Sequence, residues 1–242
     1  GAAHVGVAHV GVAPARVTLS AAPTHVVLPA GGRQVVHVTA TGGGRLRVAA
    51  SIAGFGLDLR GRPRIAGRGD AAPWISVRPL AFTVGRAGAA LVVSSRGPLR
   101  ARAGDHTAIV LLTATQPSAR GVVVRMRIGL VVAVRVPGRL THRIAVLGAH
   151  VRHSGRVRVL DLMLANSGNV IEVLTGARLR VTLVRQRHVV ARLRPGRREL
   201  LPGTKALVGL RYAGGLRGPA IARIELLRPG PHWTVRLVPV RL

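Results

Sequence analysis

The sequence contains no cysteine, only seven acidic residues and a single lysine, Lys205. Without cysteine, the chain has no disulfide framework, no thiolate zinc site and no cysteine nucleophile. Lysine, glutamate and glutamine commonly cover the outer faces of helices, and their scarcity disfavours helices as the main element. These absences exclude several classes of site and predict an all-β protein.

Aromatic residues make up only 2% of the chain, and long apolar runs are also missing. Proteins that bind single-stranded nucleic acid usually stack bases on several aromatic rings, and this chain has few such rings. The longest apolar runs, such as Ile128 to Val134, are far shorter than the ~18 residues that a membrane helix needs. No secretory signal pattern stands at the start, so we expect a signal to be absent or already removed.

What the sequence has in excess is arginine, because 37 Lys+Arg face 7 Asp+Glu and the formal net charge is +30. Guanidinium groups stay charged at any biological pH, which predicts a polyanionic partner. Many arginines form i, i+2 pairs, which share one face of a strand. A GC-rich genome would also produce this arginine content without any ligand. The predicted polyanion-binding residues are Arg45, Arg47, Arg125, Arg127, Arg156, Arg158, Arg178, Arg180, Arg185, Arg187, Arg192 and Arg194.

Short alternating runs separated by glycine, proline and aspartate predict two immunoglobulin-like antiparallel β-sandwich domains in tandem. The first series includes long strands at Thr107 to Thr115 and Val122 to Val136, and the second begins with a strand at His142 to Leu147. Pro137-Gly138 interrupts the pattern, so we place the first domain at 16–137 and the second at 138–242. The short junction favours a fixed or narrowly hinged angle between them.

Residues 1–15 precede the first domain as an apolar leader or an extra strand. One interpretation is that the leader pairs within its own domain as an edge strand. The other is that it completes the sheet of the next subunit and so propagates a filament. The predicted inter-subunit strand residues are Val5, Val7, Val10 and Val12.

Several turn-and-strand phrases resemble those of bacterial surface proteins. Leu28-Pro29-Ala30-Gly31-Gly32, Trp74-Ile75-Ser76-Val77, Gly104-Asp105-His106 and Asn166-Ser167-Gly168-Asn169-Val170 stand in an order similar to that of WxL-interacting proteins of Gram-positive bacteria. Pilus-chaperone-like tandems are a more distant comparison. The resemblance implies an immunoglobulin-like domain before a second sandwich, at the cell surface. That family usually continues into a membrane helix, whereas this sequence stops at Leu242, so anchorage is not carried over.

The sequence offers no convincing catalytic or metal site. His106 beside Asp105 is better explained as the replacement of a corner tyrosine than as part of a triad, because no nucleophile motif accompanies it. His150 and His153 would point to opposite faces of a strand, so we predict no metal site and no cofactor. The rare aromatic residues are predicted to fill the cores or to pack at strand ends, and not to bind a ligand, and these are Phe55, Phe82, Trp74 and Trp233.

The main hypothesis is therefore a non-enzymatic, exported bacterial protein at the cell surface or outside the cell. It would be a structural or adhesive protein that binds an anionic wall polymer, a glycan or an acidic protein partner. The alternative is a filament subunit assembled by strand addition between copies. A third hypothesis is a binder of polyanions such as nucleic acid, which charge alone permits but does not favour.

Overall fold

The computed structural model describes residues 17–42, 44–66, 71–97, 100–117, 123–154, 157–215, 217–227 and 232–242. Within these ranges the only helical element is a single 3₁₀ turn at Ala72–Trp74. All other regular elements are strands, because valine and other β-formers alternate with polar residues and glycine or proline follows many of the runs. The all-β prediction is confirmed.

The first ten strands form two packed sheets, which we call the first domain. Their order is β1-β3-β8-β6 in one sheet and β2-β10-β9-β4-β5 in the other, with β7 also paired to β4. All pairings are antiparallel except that of β10 with β2, which is parallel. The bounds are β1 Thr18–Ala22, β2 His25–Pro29, β3 Arg33–Thr41, β4 Leu46–Leu57, β5 Pro63–Ala66, β6 Ile75–Arg78, β7 Ala81–Val84, β8 Ala89–Ser95, β9 Gly104–Pro117 and β10 Val123–Val136.

The next nine strands form the second domain. Its two larger sheets have the orders β11-β12-β17 and β15-β14-β18-β19, and β13 pairs with β16 beside them. The first strand runs well beyond the predicted Leu147 and contains a bulge between Val146 and Gly148. The bounds are β11 Ile144–Ser154, β12 Val157–Asn166, β13 Glu172–Leu174, β14 Leu179–Arg185, β15 His188–Leu193, β16 Arg198–Leu200, β17 Lys205–Tyr212, β18 Pro219–Leu227 and β19 Trp233–Arg241.

Each domain buries its own apolar core between its sheets, as the period-2 alternation of apolar residues requires. The first core includes the fully buried Leu91, Leu112 and Leu130. The second includes Leu162 and Leu183. A third, smaller cluster lies between the domains and is formed by Phe55, Ile109, Leu111 and Leu201.

The predicted boundary at Pro137-Gly138 falls in the segment that joins β10 to β11. No sheet among the described strands contains members from both sides of this segment, and the exact boundary stays a prediction. The leader valines Val5, Val7, Val10 and Val12 lie outside the described residues. None of the elements in the described ranges is a helix with the length and apolar character needed to cross a membrane.

Candidate functional site

The first half of β10 is an open sheet edge. Strand β9 pairs with β10 along its whole length, from Val123 opposite Pro117 to Val136 opposite Gly104. On the other side, β2 pairs only with 131–135 of β10. Residues 123–130 therefore have no partner strand on that side among the described strands, and we call them the free edge. Unpaired backbone groups of this kind can accept another strand.

The free edge stops where the chain crosses from one sheet to the other. Strand β1 pairs with β3 in the opposite sheet, and β2 joins β10 only from His25 onward. Between them, the carbonyl of Thr24 accepts a hydrogen bond of 2.9 Å from the amide of Val131. Pro23 precedes Thr24 and has no N–H to donate, so it cannot extend a ladder of backbone hydrogen bonds. The crossing leaves 123–130 uncovered.

Side chains along the free edge alternate between the core and the solvent. Met126 and Ile128 are half-buried and pack against the first core, and Leu130 is fully buried. Arg125 and Arg127 are exposed on the opposite face. An incoming strand would thus meet an apolar row on one face and a cationic row on the other.

The cationic row continues across the sheet. In register, Arg125 lies opposite Thr115, and Thr115 lies opposite Arg47. In the next row, Arg127 lies opposite Thr113, and its Nε donates to the Thr113 Oγ1 at 3.4 Å. We call Arg47, Thr113, Thr115, Arg125 and Arg127 the arginine face. In the described part of the chain, no carboxylate forms a salt bridge with these three arginines.

A cleft between the domains begins where the free edge ends. It has a volume of about 240 Å³, and Val131, His25, Phe55 and Glu199 are among the residues that line it. The Glu199 carboxylate lies 3.0 Å from the Nε2 of His25 and 3.1 Å from the Nη2 of Arg197. The cleft therefore has a charged wall, and its apolar lining is formed by Phe55, Leu57 and Val131.

Arg198 packs against the first domain at the side of this cleft. Burial lowers the pKa of Arg198 below its ordinary value, against an opposing attraction from Asp58. Its Nη2 donates to the carbonyl of Leu207 at 2.9 Å. The amide of Leu207 in turn donates to the carbonyl of Leu59 at 2.6 Å, across the domain interface.

Asp105 joins the two domains on the other side. Arg135 donates to both of its carboxylate oxygens, from Nε at 2.7 Å and from Nη2 at 2.9 Å, and the amide of Ile171 in the second domain donates at 2.8 Å. The hydrogen bond that Arg135 donates to Asp105 raises the pKa of Arg135. Gly104, at φ +129°, approaches Asn169 so closely that a Cβ would lie 2.2 Å from its carbonyl oxygen. Only glycine fits this approach.

Asn169, within one of the phrases that the sequence singled out, connects the second domain to the first. Its Nδ2 donates to the carbonyls of Ala103 at 2.8 Å and Arg139 at 2.9 Å. Its Oδ1 accepts from the amide of Thr141 at 2.6 Å. These bonds tie the junction at three points, which agrees with a narrowly hinged angle.

The predicted polyanion-binding arginines do not form one surface. Those of the first domain, Arg45, Arg47, Arg125 and Arg127, are exposed, and Arg156 lies outside the described residues. In the second domain, Arg185 is half-buried and donates to the carbonyl of Arg217. The exposed members there are Arg180, Arg187, Arg192 and Arg194, on two strands and their turns. Polyanion binding by these residues stays a prediction.

The prediction that the arginines of these pairs face outward from their strands is wrong for two of them. Arg158 is buried, because it shares the inner face of β12 with Leu160 and Leu162, and its guanidinium lies 5.9 Å from the ring centre of Tyr212. Arg178 precedes β14 in a turn, and its Nη1 binds the buried carboxylate of Glu172 at 2.7 Å. Exposed and buried side chains do not alternate around Arg158, because both faces of this central strand are covered.

The aromatic and histidine predictions have mixed outcomes. Trp74 packs against the first core, whereas Trp233 is 38% exposed on β19 with the Arg180 guanidinium 4.6 Å from its ring centre. Trp233 is the first residue of β19, so it fits the strand-end alternative and not the core one. His106 makes a hydrogen bond of 2.9 Å with the carbonyl of Arg102, four residues upstream. This confirms its interpretation as a corner residue.

Groups that would support catalysis or metal binding do not gather in the described ranges. No three histidine or carboxylate side chains there lie close enough to hold a metal ion. His150 lies 3.7 Å from Asp161, whose carboxylate also binds Arg152. The buried Asp161 carboxylate therefore makes structural contacts with these two partly exposed side chains.

Comparisons with known proteins point to one class of fold. No family model and no curated protein matches the chain. A chain of a chaperone–tip adhesin complex for CFA/I fimbriae biogenesis matches with a TM-score of 0.54 and 10% identity, over 91% of this chain and 98% of that one. The class 5 fimbriae chaperone CfaA gives 0.52 and 10%, over 91% and 99%. The YadV chaperone gives 0.50 and 12%, over 93% and 99%.

The chain thus has the two-domain immunoglobulin-like fold of pilus chaperones. The resemblance to WxL-interacting proteins has no support among these matches, whereas the more distant comparison with pilus chaperones fits. CfaA and YadV are described as chaperones, which is consistent with the prediction of a non-enzyme.

Proposed function

We propose that this protein is a chaperone that holds an incomplete β-sandwich subunit of an extracellular filament. The subunit would pair one of its strands with the free edge of β10. The observation that carries this proposal is the free edge itself, where eight consecutive residues of a long strand have β9 on one side and no partner on the other among the described strands. The fold, shared with fimbrial chaperones, supports the same function.

The side chains of the free edge suit this role. Met126 and Ile128 are apolar, lie at the free edge and are only half-buried there. An exposed apolar edge is an aggregation hazard unless a partner covers it. A subunit that lacks one strand would bury these two side chains and satisfy the open backbone groups in one step.

The proposal narrows the earlier hypotheses. It keeps strand addition and a protein partner, and it does not retain a wall polymer or a glycan as ligand, because the comparisons give these no support. It assigns strand pairing to β10, while pairing by the leader stays a separate prediction. The compartment would be the exported one in which filament subunits are assembled, and not the cell surface itself.

The experiment uses a pilin-like subunit from which one strand of the sandwich has been removed. Refolded with the full chain, it should stay in solution and elute as a one-to-one complex, measured by light scattering and size-exclusion chromatography. The double variant M126D/I128D should abolish the complex, because it places two carboxylates where apolar side chains must be buried.

V235D/L237D is the matched control. Val235 and Leu237 are also an exposed apolar i, i+2 pair on an edge strand, β19. This variant should leave the complex intact. Loss of the complex in V235D/L237D with retention in M126D/I128D would move the site to the second domain and contradict the proposal.

A further inference from the structure

The arginine face borders the free edge, and its position says which strand the edge can accept. Arg125 and Arg127 alternate with Met126 and Ile128 on the same strand, so they point to the opposite face of the sheet. A strand added at the free edge would lie about 4.8 Å away, with its own side chains directly opposite these residues. Two of the side chains that the strand turns to this face would stand next to Arg125 and Arg127.

We propose that the partner strand alternates apolar residues with acidic ones. Its apolar side chains would pack beside Met126 and Ile128, and its carboxylates would pair with Arg125 and Arg127. This inference rests on the proposed function and gives the partner its chemistry. Opposite charges that face each other across two strands stabilise the pairing, whereas like charges destabilise it.

Three observations favour an acidic strand. The arginine face has no carboxylate partner among the described residues, so its guanidinium groups are available. Arg127 is held on this face by its hydrogen bond to the Thr113 hydroxyl, on the side of β10 away from the free edge. The chain as a whole has a net charge of +30, so an acidic partner is complementary over long range as well.

Two other occupants fit the arginine face less well. A second copy that paired its own β10 along this edge would bring arginine beside arginine, in addition to the repulsion between two strongly cationic chains. The apolar leader at 1–13 carries no carboxylate and would leave both arginines unpaired. Arginines on the edge therefore also discourage pairing with neutral or basic strands, which is how an edge gains specificity.

The test uses three fluorescent ten-residue peptides that alternate valine with glutamate, glutamine or arginine. Binding to the full chain is measured by fluorescence anisotropy, and hydrogen–deuterium exchange of 123–130 locates it. We expect the glutamate peptide to bind about tenfold more tightly than the glutamine peptide at low salt, because two cross-strand ion pairs form. High salt should reduce this difference.

Charge reversal separates local pairing from net charge. R125E/R127E should lose the preference for glutamate and bind the arginine peptide instead. R192E/R194E makes the same change in net charge at two exposed arginines of the second domain and should keep the preference. Circular dichroism checks that both variants are folded.

Each other result overturns the inference. Equal binding of the glutamate and glutamine peptides, with 123–130 protected, leaves the proposed function standing and removes the acidic strand. If both double variants lose the preference for the glutamate peptide equally, that preference comes from net charge and not from local pairing. If heparin binds to the arginine face while the glutamine peptide stays bound at the free edge, the face is a polyanion site and not a site for an acidic strand. If no peptide protects 123–130, the proposed function fails as well.

Discussion

The edge strands of the two domains have different neighbours. In the second domain, the edge strands β11 and β19 lie against each other, and Arg236 of β19 donates a hydrogen bond to the carbonyl of Val146 in β11. In the first domain, β10 leaves 123–130 open beside half-buried apolar side chains. At β11 and β19 the two sheets of the second domain are thus bridged by a side-chain hydrogen bond, whereas 123–130 of β10 have no paired strand on their outer side among the described strands.

The domains also use their scarce carboxylates differently. In the second domain, Asp161 and Glu172 are each 1% exposed and paired with arginine. The core cluster of the first domain is apolar, and its buried carboxylate, Asp105, lies at the junction. Buried carboxylates thus stabilise the second domain and the junction, while the arginine face of the first domain has no carboxylate partner among the described residues.

The largest expected effect is on the stability of the second domain. Glu172 accepts from Arg178 at 2.7 Å and lies 2.9 Å from the Nδ1 of His142. Replacing it by glutamine removes the negative charge and turns an NH₂ group toward one of these partners. We expect Glu172→Gln to lower the free energy of unfolding by about 2–3 kcal/mol, measured by urea denaturation.

Glu225→Gln is the control, because its salt bridge with Arg223 lies on the surface. It should change the stability by less than ~1 kcal/mol. If the two substitutions cost the same, the contrast between a domain held by buried ion pairs and an apolar one would not hold.

A smaller effect is expected at the junction. Asp105 is buried, but Arg135 is half-exposed and can turn to water when its partner is lost. We expect Asp105→Asn to cost about 1–2 kcal/mol and to widen the range of interdomain angles. Small-angle X-ray scattering measures the angles, and a double-mutant cycle with Arg135→Gln measures the pairing itself. An unchanged scattering profile with normal stability would mean that Asn169 alone holds the junction.

The smallest effect concerns the turn between β4 and β5. The Oδ1 of Asp58 accepts from the amides of Arg60 and Arg62, both at 2.8 Å, and the bond from Arg62 is the main cause that lowers the pKa of Asp58 below its ordinary 3.8. Because the folded pKa is the lower one, the carboxylate stabilises the turn above about pH 4, and this stabilisation is lost as the pH falls through the folded value.

Proton NMR titration of the Arg60 and Arg62 amides should show a midpoint below 3.8. The neighbouring bond from the Leu207 amide to the Leu59 carbonyl joins the two domains, so its protection against exchange should weaken over the same pH range. Asp58→Asn should remove the titration. A midpoint at or above the ordinary pKa would show that the turn is not held by this carboxylate.

Much of the fold could be predicted from local sequence, and part of the site could not. Val122 to Val136 was predicted as one long strand, and the structure describes it from Val123. The corner role of His106 followed from its place after Gly104-Asp105. The missed functional feature is the free edge, since nothing in the alternation of β10 says how far its neighbour extends. The break at Pro23, just before β2, was the one available signal.

The sequence by itself determined the strands, the arginine excess and, on most strands, which face turns inward, because these depend on a two-residue period and on composition. Only the tertiary structure decided that β2 covers 131–135 and leaves 123–130 open, because the pairing joins segments about a hundred residues apart. It also decided that Arg158 lies inside and Arg125 outside. Both arginines belong to i, i+2 pairs. Their different burial depends on what covers each face of the strand, and the sequence does not give that information.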